Sequence, residues 1–220
     1  MNQQIKWDYF DKGLDYFDDE EYEKALEFFE KALEIDPAFE NAMAYKSFSI
    51  TELKSLNDSL VFINQMLEKY PEYDSLYYLK ASLLSDLEIF EESNSYFDLA
   101  LKKGFEEDLT YYGRAYNYFG LEDYENSAKY FKKHLKTNPD DLQSWCKLGY
   151  SLYHISSMEE ALNCVDKAIE RDPDFYLPYF YKGEIFLGEG DNEKALKCFQ
   201  KAHQLQVDDS ETKKRLEKLT

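Results

Sequence analysis

A register of 34 residues runs through this chain from Lys6 to Asp209 with no insertion or deletion, and it constrains the fold more than any local propensity. Its clearest copy spans residues 142–175 and carries Trp145, Leu148-Gly149, Leu152, Ala161, Val165, Ala168 and Pro173. From Lys6 the same skeleton reads Tyr9, Gly13, Tyr16, Ala25, Phe29, Ala32 and Pro37. From Tyr176 it reads Tyr179, Gly183, Phe186, Ala195, Phe199 and Ala202. Copies beginning at Glu40, Asp74 and Asp108 keep the spacing but drift in residue type. The second carries Met43, Ser47, Ile50, Ser59 and Ile63, and the third and sixth have Phe105 and Val207 where the other four place proline.

Each copy reads as a helical hairpin. Apolar residues at unit positions 4, 7 or 8, and 11 mark one buried face of a first helix, and those at 20, 24 and 27 mark one face of a second. Positions 8 and 20 are Gly, Ala or Ser in every copy, which lets the two axes approach closely. Turn-forming stretches such as Asp18-Asp19-Glu20-Glu21 and Gly188-Glu189-Gly190-Asp191 separate the helices, and the proline at position 32 prevents the second from continuing. So short a hairpin cannot bury its own apolar face, so neighbours must stack into a one-dimensional solenoid. With 44% apolar and 17% aromatic residues but only eight glycines and five prolines, the composition suits an all-α chain with a substantial core.

The net charge of −19 excludes the common forms of nucleic-acid binding, because such a surface repels phosphates and lacks the cations that would release counterions. It also disfavours anionic membranes. No apolar run approaches the ~20 residues of a membrane span, and Met1 to Asp8 has neither the basic nor the apolar region of a secretory signal. Three cysteines at unpatterned spacing suit unpaired thiols in a reducing cytoplasm.

The W-x2-L-G-x2-Y…A-x3-F…P skeleton at this period resembles the tetratricopeptide repeat family. The resemblance implies an all-α, right-handed α-α superhelix of six hairpins at 6–39, 40–73, 74–107, 108–141, 142–175 and 176–209. A capping helix over 210–220 would complete a single domain spanning 1–220. It further implies that first helices line a concave groove through unit positions 2, 5, 6, 9, 12 and 13. Carried onto this chain, those positions supply Phe10, Phe17, Tyr45, Phe48, Tyr78, Tyr112, Tyr116, Phe119, Tyr150, Tyr153, Phe180 and Tyr181 as an aromatic lining. Lys147 is the only basic residue among them. The Lys and Asn set with which family members grip a chaperone's C-terminal carboxylate is missing from every three consecutive repeats. Acidic residues Asp11, Asp18, Glu52 and Asp86 read either as solvated helix ends or as an acidic N-terminal half of the groove that prefers basic peptide segments.

Catalytic chemistry finds no support. Cys164 and Cys198 share a position filled elsewhere by Phe28, Phe62, Tyr96 and Tyr130, and are read as small core residues. Cys146 is a candidate groove residue, with His154 nearby but no third group to orient the pair. His134, His154 and His203 lack metal-ligand spacing, so no metal and no cofactor is expected. The sequence therefore predicts a non-enzymatic module that binds an extended peptide or partner helix. The alternative is a structural subunit that self-associates or packs into a larger assembly.

Overall fold

The computed structural model describes residues 2–155 and 158–219, and among these it contains thirteen α-helices and no strand. Met1, residues 156–157 and Thr220, the last position of the expected capping helix, lie outside the described residues. The chain divides into two compact units, Met1–Glu107 and Asp108–Thr220, at the boundary between the third and fourth copies of the register.

The first unit holds three hairpins: α1 (Asn2–Asp18) with α2 (Tyr22–Ile35), α3 (Glu40–Leu53) with α4 (Leu56–Lys69), and α5 (Asp74–Asp86) with α6 (Phe90–Lys103). Two buried clusters run through it. Phe10, Ala25, Phe29, Ala32, Phe39 and Ala42 fill the first, and Met43, Ile63, Leu76, Leu79 and Leu83 the second. Where position 8 becomes serine, the packing turns polar but stays satisfied, with Ser47 Oγ 2.6 Å from Ser59 Oγ in the buried α3–α4 contact. The third hairpin lacks the stopping proline; its second helix ends instead on Gly104, left-handed at φ 117°. Such a residue closes a helix by returning amides to the last carbonyls.

The second unit begins with a short 3-10 turn, Asp108–Thr110, followed by α7 (Tyr111–Gly120) and α8 (Tyr124–Thr137). It continues through α9 (Leu142–His154), α10 (Met158–Arg171), α11 (Tyr176–Gly188), α12 (Asn192–Leu205) and α13 (Ser210–Leu219). Its core gathers Ala115, Ala128, Phe131, Leu148, Leu152, Ala161, Val165 and Ile185. Asp123, Asp141 and Asp191 cap α8, α9 and α12, each accepting the amide three residues on at 3.1 Å. Thr212 is fully buried, and Arg215 reaches α11 to clamp Glu184 with two hydrogen bonds of 2.5 and 3.0 Å. No described helix is long and apolar enough to cross a membrane.

Candidate functional site

In the first unit the aromatic positions separate by depth. Phe10, expected to line a binding face, is only 4% exposed and packs against Phe29, Phe39 and Tyr45 at ring distances of 5.2–5.7 Å. It is a core residue, because Phe39, at the entry to α3, and Tyr45 on α3 cover the side of α1 that would otherwise face outward. Phe17 and Tyr45 are half-buried and meet edge to face at 5.5 Å. Phe48, one helical turn beyond Tyr45, is 40% exposed. Tyr78 lies half-buried with its ring stacked on Phe105 at 4.5 Å, so the residue standing in for proline supplies packing. Asp11, Asp18, Glu52 and Asp86 are all exposed on first helices.

The second unit draws its aromatic positions into a continuous cluster. Phe119, Tyr150 and Tyr181, from α7, α9 and α11, form a triangle with centroid distances of 5.7, 5.4 and 6.4 Å. Burial pushes the Tyr150 hydroxyl up to about 12 and the Tyr181 hydroxyl up as well, so both stay neutral donors. Tyr112 and Tyr116 stack on α7, with Tyr112 also against the His134 ring at 5.3 Å. Phe180 packs beside Tyr181 and over buried Phe199. Lys147 threads between Tyr116 and Phe119 with its ammonium 4.9 Å from each ring. Burial lowers its pKa from the ordinary lysine value, and the two ring faces offset part of that cost.

Beside this cluster lies a cavity of about 480 Å³ lined by Tyr150, Tyr153, His154, Glu184, Leu187, Gly188 and Glu189. The Tyr153 hydroxyl rests against Gly188 where any side chain would collide with it. Glu184, on α11, occupies one of the first-helix positions that the resemblance supplies, whereas Glu189, just after that helix, does not. Tyr124 opens a second helix, outside the positions the resemblance supplied, yet stacks on His154 at 4.2 Å. A signal for it existed: Phe17–Tyr22 and Phe119–Tyr124 repeat one edge-to-face pair across the hairpin turn, at 5.3 and 6.0 Å. Cys146 belongs to the interior, being fully buried with its thiol pushed well up by that burial, and is no groove residue.

A family model described as tetratricopeptide repeat matches residues 8–39, and a second of the same description matches 112–174 and 158–206, together more than half of the chain. No curated protein matches by sequence. Among solved structures, YrrB, described as a TPR protein with an unusual peptide-binding site, is 22% identical with a TM-score of 0.66 over 84% of this chain and 96% of that one. The pilF protein of Pseudomonas aeruginosa is 16% identical with a TM-score of 0.79, covering 99% of both chains. PilW, a type IV pilus biogenesis factor, is 18% identical with a TM-score of 0.79 over 98% of both. At such identities the likeness is one of fold, an all-α superhelical repeat.

Proposed function

The chain belongs to the tetratricopeptide repeat family, and from that premise we propose that it is a scaffold or adaptor whose first-helix face binds an extended peptide or a partner helix. The observation that carries this reading is the Phe119–Tyr150–Tyr181 triangle bordering a cavity with two glutamates. Aromatic side chains offer large apolar area with few rotors to freeze, which is why they dominate binding hot spots. The carboxylates Glu184 and Glu189, with Asp11, Asp18, Glu52 and Asp86 on the first unit, favour partners with basic segments. The overall charge of −19 would steer such partners and repel nucleic acid. Lys147 stands between rings without the set of cations a carboxylate clamp needs. The nearest nucleophile, Cys146, is buried as a neutral thiol, which supports a non-enzymatic role. Its three unpaired cysteines suit the cytoplasm.

Selection from a displayed random-peptide library tests this directly. Enriched peptides should pair apolar or aromatic residues with Lys or Arg, and should lose binding to a Tyr112→Ala, Tyr116→Ala double variant that keeps the helical circular-dichroism signal. Enriched peptides that bind this variant unchanged would remove the face from consideration. Self-association is the second reading, favoured by Trp7, 40% exposed and edge-on to Phe39 at 4.7 Å. A sedimentation coefficient that does not change with concentration would dispose of it.

A further inference from the structure

Two columns of the register change together in the fifth hairpin alone. In the first four hairpins a cation at unit position 7 lies over an aromatic ring at position 23. The pairs are Lys12 on Phe28 at 5.9 Å, Lys46 on Phe62 at 5.2 Å, Lys80 on Tyr96 at 4.1 Å and Arg114 on Tyr130 at 5.2 Å. The sixth hairpin loses the ring to Cys198 but keeps the cation, Lys182, which pairs with Asp166 at 2.5 Å. The fifth replaces cation and ring at once, with Leu148 and Cys164. Losing the ring and the cation together makes the lining of that seam apolar where other hairpins make it aromatic and charged.

Between α8, α9 and α10 lies a cavity of about 340 Å³ floored by Leu135, Leu148, Leu152, Cys164 and the Trp145 ring. It shares no residue with the first-helix face described above. Trp145 is fixed in place, its indole N–H donating to the Pro139 carbonyl at 2.8 Å. The rim is basic in an otherwise acidic protein: Lys132, Lys136 and Lys167 against the single carboxylate Glu160. Lys132 faces Glu160 at 3.9 Å, and Lys167 lies over Trp145 at 4.7 Å. Neither Lys136 nor Lys167 has a carboxylate within ion-pair distance among the described residues.

The equivalent seam in the first unit is as large, so the exchange alters the lining and its charge rather than the volume. There a cavity of about 360 Å³ is bordered by Glu30, Glu34, Lys46, Phe62 and Lys69. Its charges balance, Phe62 supplies the ring, and Lys46 is already paired with Glu30 at 2.8 Å.

We propose that the Trp145–Cys164 cavity is a binding site for a small apolar anion, an aromatic or medium-chain carboxylate. The hydrocarbon body would rest on Leu148, Leu152 and Cys164, and the carboxylate would meet the ammonium groups of Lys136 and Lys167. A volume at the lower end of small-molecule sites fits one fused ring system or a short chain. The apolar floor supplies burial, and the unpaired lysines supply selection for negative charge.

The full-length Trp7→Phe protein leaves Trp145 as the sole tryptophan, so its fluorescence reports on this cavity. Titration with 2-naphthoate should give saturable quenching, and neutral 2-naphthalenemethanol should bind about tenfold more weakly. Lys136→Gln with Lys167→Gln, both on the rim, should remove that preference while leaving the neutral analogue's affinity in place. A Leu148→Lys, Cys164→Phe double variant restores the cation and ring that four other hairpins carry, replaces the apolar floor, and should abolish binding of the neutral probe. No saturation at millimolar probe would overturn the proposal. So would equal affinity for anion and alcohol, or neutral-probe binding that survives in the folded double variant.

Discussion

At the scale of single residues, the small positions of the register act through collisions they avoid. A methyl group at Gly149 would lie 2.8 Å from the backbone carbonyl of Ala161 and 2.8 Å from a methyl of Val165. At Gly183 the obstacle is the ring of Phe199, 2.7 Å away and itself fully buried. The ring can shift, whereas the carbonyl is held by its own helix. Gly149→Ala should therefore cost about 1–3 kcal/mol, the range of overpacked cores, despite alanine's better helix propensity. The loss is read from the denaturant midpoint. An unchanged midpoint would mean that α9 and α10 can move apart freely, contrary to the close approach seen here. Phe10 and Phe48 make the same point for aromatic residues. Both occupy first-helix positions, and their opposite exposure comes from which neighbouring hairpin covers them.

The elements show one local strain repeated. Three hairpin turns pass through a glutamate in the left-handed region, Glu20 at φ 60°, Glu88 at 61° and Glu122 at 58°. The sixth hairpin places Gly190, φ 77°, at the same unit position. Hydrogen bonds explain why the geometry persists: at the third turn the Glu88 and Ile89 amides return to the carbonyls of Ser85 and Leu84 at 2.9 and 2.8 Å. Such a residue costs roughly 1–2 kcal/mol, while glycine gives back about 0.5–1 kcal/mol through its unfolded freedom. Glu88→Gly should therefore stabilise by about 0.5–1 kcal/mol and raise Tm by ~1–3 °C, measured by thermal melting. A lower Tm would show that the glutamate side chain earns its place by contacts. The register itself was legible because helix period, capping aspartates and turn residues are all written within one hairpin.

At the scale of the whole molecule, stability in a repeat protein is a sum of hairpin terms and nearest-neighbour terms, so protection should vary along the chain. Residues 40–107 depart furthest from the skeleton. Their small positions include Ser47, Ser59 and Ser93, whose hydroxyls must be satisfied inside, as Ser93 is by the Ala81 carbonyl at 2.7 Å. Hydrogen exchange should find the amides of α3 to α6 less protected than those of α9 to α12. The reverse order would refute the link between skeleton and stability.

Periodicity and residue size were enough to determine the hairpins, their stacking and the close helix contacts, because those depend on spacing within one repeat and on a neighbour built to the same plan. Outward and inward faces were a different matter. Whether Phe10, Cys146 or Tyr124 meets solvent, the core or another ring depends on side chains that adjacent hairpins contribute, and these differ from one seam to the next. The exchange of cation and ring for Leu148 and Cys164 stands in the sequence for anyone who aligns the copies. Only the packed neighbours, with Trp145 pinned and three lysines gathered at one rim, turn it into a cavity with a preference for charge.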